Sequence, residues 1–350
     1  MDNSTTMPER PGLAESAPAL DSLPKLVSST FHDVDQQSGA VSGGPDLHYA
    51  QLKRGQFSGS CRELTMRDLL VLRETTNIPV NMYGTLWPDR FVFATPLRML
   101  GDGSINGLTW GPGASTFIRA DLGHEVILPP ADILYFTIDK RVLEDYISVV
   151  EGISLAGWLA KGPIMLQAST AIRGLTARLM DLLYHPFGST LSTLAPEVQR
   201  DILQEVLGCV APTVVEHLGK PGPSKTSVGR YQLVQRAREF VLDRVGAPEP
   251  VHIIDVCRAL NVSRRTLQYS FEDVLGLTPT TYLRVLRLNR ARQDLLAADE
   301  VNPVQVKDVV SRWGFWHLSR FTAEYRGLYG ELPSVTLKTA RARRGLNISS

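Results

Sequence analysis

The sequence predicts an α+β protein of two domains, a β-rich sandwich with helices followed by an all-α domain in which a long helix joins two similar units. Three observations predict it. Short apolar runs separated by Gly and Pro fill residues 46–140. From about residue 225 every apolar pattern has helical spacing. The charge is also divided: the 350 residues carry 37 Lys+Arg against 36 Asp+Glu, yet from Lys225 onward the balance is 20 against 12. A near-neutral chain with one strongly basic part suggests that this part meets a polyanion and the rest does not.

Composition excludes several classes. A hydrophobic fraction of 43% and a charged fraction of 21% are ordinary for a globular core, so wholesale disorder, collagen and coiled coil are ruled out. The best apolar run, Gly152 to Ala160, is too short to span a bilayer. Nothing near Met1 combines basic residues with an apolar core, so no secretory signal is expected and the chain is predicted to be cytoplasmic, with no membrane partner. Cys61, Cys209 and Cys257 are far apart and form no C-x-x-C pair, which argues for small buried hydrophobes rather than disulfides or zinc ligands.

Residues 1–45 are rich in Ser, Pro, Gly and Asp and are expected to be a mobile segment. In 46–140 the apolar runs Asp68–Arg73, Arg90–Ala94, Thr116–Arg119 and His124–Leu128 alternate with Trp87-Pro88-Asp89, Gly101-Asp102-Gly103 and Trp110-Gly111-Pro112-Gly113. Short strands with such breaks read as a sandwich or barrel. Pro129-Pro130 ends a strand, and Val142, Leu143, Tyr146, Ile147 and Val150 then recur at helical spacing. Amphipathic stretches at about 164–184 and 196–217 read as two further helices, and 46–219 is taken as one domain. These two helices either dimerise through their apolar faces or pack within the chain on the sandwich.

Lys220-Pro221-Gly222-Pro223-Ser224 opens the linker, 220–229. Helices follow at about 231–245, 251–260, 264–275, 280–298, 306–313 and 318–329, punctuated by Pro250, Pro279, Pro303 and Pro333. Within 230–337 one stretch carries chemistry. A short helix with small Cys257 is followed by Asn261, which tolerates a left-handed turn. Ser263 is a good N-cap. Leu267 and Phe271 then face a core while Arg264, Arg265, Gln268 and Tyr269 point elsewhere. This is the logic of a helix-turn-helix, which holds its second helix out to enter a major groove.

The plan recurs in Val309 to Tyr325. Leu267 to Phe321, Phe271 to Tyr325, Gly276 to Gly330 and Pro279 to Pro333 are all 54 apart, whereas Asn261 to Gly314 is 53. An internal repeat with matching Gly and Pro punctuation argues for two copies of one unit.

At this point the chain resembles the AraC/XylS-type transcriptional regulators of bacteria, over about Tyr231 to Leu337. The carrying residues are Val262-Ser263-x-x-x-Leu267-Gln268-x-x-Phe271, Gly276-Leu277-x-Pro279-x-x-Tyr282-Leu283, Arg287-Leu288-x-x-Ala291, and Trp313-Gly314-Phe315 with Phe321, Gly330 and Pro333. The sequence departs from the family pattern at Ala323, where an Arg is frequent, and at Cys257 and Val310, where a small Ala is usual.

The resemblance implies a DNA-binding transcriptional regulator, more often an activator, whose two recognition helices enter successive major-groove turns. The expected partners are double-stranded DNA, RNA polymerase, a small-molecule effector and a second copy of the chain, with the protein at the nucleoid. Expected base readers are Arg265, Gln268, Tyr269, Ser319, Arg320 and Thr322, since Arg matches guanine and Gln adenine. Arg264, Arg287, Arg290 and Lys307 are expected on phosphates, and 338–350 is expected to be a loose basic tail with Arg341, Arg343 and Arg344.

The resemblance also implies an effector-binding or dimerising module of the cupin-like kind ahead of the DNA-binding part. Metal-binding cupins cluster several His with a Glu; here His48 stands alone and His124-Glu125 is a single pair, so no metal and no cofactor is assigned. No Gly-x-Ser-x-Gly, P-loop or G-x-G-x-x-G lies in a strand-turn-helix context, and no catalytic residue is named. Trp87, Phe91, Phe93, Trp110 and Phe117 either line an apolar effector pocket or form the core, with Arg98 and Arg119 as candidates for a carboxylate. A cupin-type enzyme or carrier fused to a DNA-binding domain, and a dimeric regulator without a ligand, are the alternatives.

Overall fold

The computed structural model describes residues 24–40, 47–119 except 86 and 88, 123–155, 164–167, 169–184, 194–218, 225–244, 251–298 and 304–347. The chain begins with β1 (Lys25–Phe31) and α1 (Val34–Ser38) and continues into β2 (Leu47–Gln51), β3 (Gly59–Thr65), β4 (Leu69–Thr76), β5 (Val80–Gly84) and β6 (Arg90–Met99). Next come β7 (Gly103–Ile105), β8 (Leu108–Trp110), β9 (Ala114–Arg119), β10 (His124–Leu128) and β11 (Ala131–Asp139). Then follow α2 (Lys140–Val150), β12 (Ile164–Gln167), α3 (Thr170–Tyr184) and α4 (Pro196–Leu218).

The strands form two antiparallel sheets, one of seven strands in the order β1-β3-β4-β11-β6-β9-β12 and one of five in the order β2-β5-β10-β7-β8. Period-two alternation sends the side chains of each strand to opposite faces. In β4, Leu70 and Leu72 enter the core between the sheets, while Leu69 and Val71 enter a second core under α2, α3 and α4. The helices at about 164–184 and 196–217 therefore cover the large sheet of their own chain. The first of them starts later than its apolar pattern, because 164–167 pairs with β9 as a strand.

The expectation of a mobile segment over 1–45 is corrected for 24–40. β1 pairs with β3 from Lys25↔Thr65 to Phe31↔Gly59. α1 is capped by Asp33, whose carboxylate accepts from the Asp35 amide at 2.9 Å. Gln37 inserts beneath it and donates to buried Glu74 at 2.7 Å, and the Tyr49 hydroxyl donates to the same carboxylate at 2.8 Å. Gly59 makes this possible: a Cβ there would lie 1.9 Å from the Gln37 amide oxygen. Burial drives the Glu74 carboxyl up, and the hydrogen bonds that Gln37 and Tyr49 donate to it oppose the shift.

The remaining helices are α5 (Lys225–Leu242), α6 (Ile253–Leu260), α7 (Arg264–Leu275), α8 (Pro279–Ala297), α9 (Val306–Arg312), α10 (Leu318–Tyr329) and α11 (Pro333–Asn347). Two expectations change here. The helix α5 starts at Lys225, inside the expected linker, whose first residues, 220–224, lie outside the described ones. The basic tail is not loose: 338–347 continues α11, and Arg341 donates to the Val304 carbonyl at 2.8 Å.

The helical part docks on the outer face of the small sheet. Ala50 and Tyr83 of that face share a core with Val234, Ala237, Phe271 and Tyr282. The order through the molecule is thus helices, large sheet, small sheet, helices.

Candidate nucleic-acid interface

Each unit is built by local chemistry. In the first, Asn261 takes φ +52° after α6, and the Val262 amide donates to the Cys257 carbonyl at 3.0 Å. Ser263 caps α7 by accepting from the Thr266 amide at 3.0 Å. Leu267 and Phe271 are fully buried, and the Phe271 ring meets Tyr282 edge-on at 5.5 Å. In the second, Gly314 takes φ +71° after α9, and the Phe315 amide donates to the Val310 carbonyl at 2.9 Å. Phe321 and Tyr325 are fully buried. Gly276 and Gly330 end α7 and α10 in the left-handed conformation, and Pro279 and Pro333 open the helices that follow. Val310 packs without disturbing this plan.

The residues expected to read bases or hold phosphates lie as follows. Arg264, Arg265, Tyr269, Lys307, Ser319 and Arg320 are exposed, and Gln268 and Thr322 are half-buried. Arg265 leans on Tyr269, its guanidinium 5.3 Å from the ring centroid and 3.1 Å from the hydroxyl. Gln268 donates to Glu272 at 2.6 Å, and Arg320 donates to Glu324 at 2.8 Å. Ala323 is exposed one turn from Arg320.

Two of the expected phosphate arginines have other occupations. Arg287 is half-buried and donates to the Val251 carbonyl at 2.5 Å, tying α8 to the start of α6; burial lowers its pKa. Arg290 is also half-buried; it bonds Gln293 at 2.9 Å and its guanidinium lies 5.8 Å from the Tyr83 ring of the small sheet.

The expected effector pocket is also corrected. Phe91, Phe93 and Phe117 stack in the core beneath the helices, with Phe93 4.7 Å from both Phe117 and Phe136. Trp87 and Trp110 are buried in the other core, between the sheets. The five aromatics lie on opposite faces of the large sheet, so they are core and do not line one pocket. Arg98 is exposed on β6, and the side chain of Arg119 lies outside the described residues.

Sequence reasoning missed the arginines that join the two parts. The side chain of Arg238 on α5 is 8% exposed and pairs at 2.5 Å with Glu125 on β10, which is 0% exposed. Tyr282 on α8 lies 3.3 Å from Arg238 and its hydroxyl donates towards Asn81 at 3.4 Å. Burial opposes the Arg238 charge, and Tyr282 and Glu125 outweigh it, so the guanidinium stays protonated. Further along α8, Asn289 accepts from the Gln51 amide at 2.9 Å, and Arg292 pairs with Asp33. The sequence marks His124-Glu125 only as a pair too isolated to hold a metal, and the arginine that meets Glu125 lies 113 residues away.

Among the described residues no helix is long and apolar enough to cross a membrane, and no group of three or more His, Cys, Asp or Glu is placed to hold a metal.

Comparisons with known proteins agree with the paired units. The model of a helix-turn-helix domain family matches residues 256–339. The XylDLEGF operon transcriptional activator 2 of Pseudomonas putida is 30% identical over 128 residues, which are 37% of this chain and 80% of that protein. The "Probable thc operon regulatory protein" of Rhodococcus erythropolis is 29% identical over 219 residues, 61% of this chain and 63% of its own length, so the chain spans less than two thirds of that relative. A solved structure, the AraC-like transcriptional activator CuxR, is 17% identical with a TM-score of 0.41, covering 76% of this chain and 95% of that one. The chain belongs to the AraC/XylS family of transcriptional regulators. The relatives named here carry the names of transcriptional regulators.

Proposed function

We propose that this chain is a sequence-specific DNA-binding regulator of transcription, its two recognition helices α7 and α10 reading successive major-groove turns of one duplex. The observation that carries the reading is the tandem pair of helix-turn-helix units, ended alike by left-handed Gly276 and Gly330 and fixed to one helix, α8, with Arg265, Tyr269, Ser319 and Arg320 exposed. Arg265 and Arg320 are assigned to guanine edges and Gln268 to adenine. Arg264 and Lys307 are assigned to phosphates.

The chain divides in this reading into a regulatory module formed by 24–40 and 46–219, a short connection, and a DNA-binding domain from about 230 to 337 with the last helix α11 appended. A small molecule acts on the regulatory module. Its binding shifts the population between arrangements in which α8 is held on the small sheet or released. The two buried ion pairs, Glu125–Arg238 and Asp33–Arg292, support this coupling, since both join the module to the helices that position the readers. Activation through contact with RNA polymerase, a homodimer, and residence at the nucleoid in the cytoplasm complete the reading; relatives named as transcriptional activators support the sign.

Selection of duplexes from a random pool by the full chain tests it. Two enriched blocks about one helical turn apart are expected. A single block removes the second unit as a reader. No enrichment, with or without a metabolite mixture, removes the function.

A further inference from the structure

A cleft of about 270 Å³ lies along the seam between the two helix-turn-helix units. Its first wall is the start of α6, from Val251 to Ile253; its second is the turn and first part of α10, from Gly314 to Phe321; its floor is the first half of α8. Three guanidiniums, Arg284, Arg287 and Arg320, meet there with one carboxylate, Glu324. That carboxylate does not neutralise the site. It orients it: Arg284 pairs with Glu324 at 2.6 Å from α8, and Arg320 pairs with it at 2.8 Å from α10. An arginine of the joining helix and one of the second unit are thereby held side by side, and Arg287 adds a third charge with one nitrogen on the Val251 carbonyl. Trp316 stands at the lip, 71% exposed. His252 and His317, the N-cap residues of α6 and α10, sit on the two walls.

We propose that this cleft binds the sugar–phosphate backbone of duplex DNA where it passes between the two grooves, with Arg284 as the principal phosphate ligand. The inference rests on the reading of the chain as a duplex-binding regulator and extends it to a backbone site beside the base-reading Arg320. A net excess of cations suits a phosphodiester. The volume is below the range of about 300–1,000 Å³ usual for pockets that enclose a small organic ligand. The exposed lip suits a polymer that passes across rather than a molecule that is swallowed. An indole left in water beside a cationic cleft offers an apolar face to a deoxyribose. Arg284 takes the part that the sequence assigned to Arg287 and Arg290. It is exposed, and its single partner, Glu324, keeps Arg320 when Arg284 is removed.

The test is the salt dependence of binding by the full chain, on a selected duplex that spans both blocks and on a scrambled duplex of equal length. Arg284→Gln is expected to weaken both duplexes alike and to make the slope of log K against log salt shallower by about 0.9, the change that follows when one phosphate is no longer neutralised. Trp316→Ala is expected to weaken both with the wild-type slope. A second measurement changes the DNA instead of the protein: uncharged methylphosphonates placed between the two blocks weaken the wild type and weaken Arg284→Gln by a smaller step. A wild-type slope for Arg284→Gln, or methylphosphonates that weaken both proteins equally, overturns the proposal while sequence-specific binding stands. Inorganic phosphate at constant ionic strength that raises the melting temperature of the wild type alone, with an unchanged slope, makes the cleft a small-anion site and also overturns it. Failure to bind any duplex removes the underlying function instead.

Discussion

Arg292, in the last third of α8, is bonded on one side to Asp33 of the amino-terminal segment and on the other to the second helix-turn-helix unit. Its Nε lies 3.1 Å from the Asp33 carboxylate, and its Nη1 lies 3.1 Å from the Tyr325 hydroxyl and 2.8 Å from Glu331. Arginine and aspartate side chains are both 9% exposed. One guanidinium therefore fixes a capping residue of the first domain against the core aromatics of the last.

Removing the arginine leaves the buried Asp33 carboxylate without its cation, whereas removing Asp33 leaves Arg292 paired with Glu331. Arg292→Ala is expected to cost about 3–5 kcal/mol of stability, measured by denaturant unfolding of the full chain. Asp33→Leu retains the Tyr325 and Glu331 bonds of Arg292, so it is expected to loosen 24–40 and α8 with the second unit still folded. Hydrogen exchange reads this out, and uniform protection in Asp33→Leu would contradict the bridging role.

Next to this pair, Asp35 makes the interface sensitive to pH. Burial, and then the Asp33 charge, raise its carboxyl from an ordinary 3.8 to about 7; Gln293, Arg292 and Arg290 oppose the shift. A raised folded pKa means that the folded chain holds the proton where the unfolded chain has lost it. The contribution is present in full below pH 3.8 and is lost as pH rises through 7. Asp35→Asn is expected to flatten this part of the stability profile between about pH 4 and 8. Parallel melting curves for the two proteins across that range would refute it.

Phe271 sets the packing of the first unit. It is fully buried against Tyr282, and Phe271→Ala is expected to cost about 3–5 kcal/mol. Tyr269, two residues earlier and half-exposed, is expected to change stability by no more than about 0.5 kcal/mol when replaced by Ala. Thermal unfolding separates the two.

Asn261 carries the turn with φ +52°. Asn261→Gly is expected to be nearly neutral. Asn261→Val is expected to cost about 1–2 kcal/mol, because a β-branched side chain clashes in the left-handed region. Equal melting temperatures for the two variants would argue against the turn as the source.

Arg265→Ala is expected to cost about 1–3 kcal/mol at one base position of the selected site and little on scrambled DNA. Its guanidinium is already placed by Tyr269, so Tyr269→Phe, which keeps the ring and removes the 3.1 Å hydroxyl contact, is expected to lose less. Equal losses for Arg265→Ala on both duplexes would make it a phosphate contact. Binding assays at one fixed salt concentration decide this.

Much of the carboxy-terminal half is legible in the residues themselves. Asn261, Ser263, Gly276, Pro279, Gly314, Gly330 and Pro333 act through backbone conformation or hydrogen bonds that close within a few positions, so their spacing specifies the two units before any tertiary contact forms. The period-two runs likewise announce strands, although 164–167 carried too few residues to show its period and was absorbed into the helix that follows. The amino-terminal segment was illegible for a different reason. Its Ser, Asp and Gln look like the polar residues of a tail, and they are ordered by partners far away: Gln37 by Glu74, Asp33 by Arg292.

The order of residues is enough to specify a basic helical half with two like units and a β-rich half before it. Local caps, turns and apolar periods depend on neighbours a few residues apart, and those neighbours can be read. Which cationic side chains are left for DNA and which are held inside is settled by the docking of the two halves. Arg238 and Arg292 are charged residues on amphipathic helices like Arg284 and Arg265, and nothing in their local sequence marks them. What separates them is the surface of the first domain: Glu125, Asn81 and Tyr83 of the small sheet meet Arg238 on α5 and Tyr282 on α8, and Asp33 meets Arg292, only when the two domains dock. Burial then requires every charge at that surface to find a partner, and the arginines that face away from it remain available to meet a phosphate.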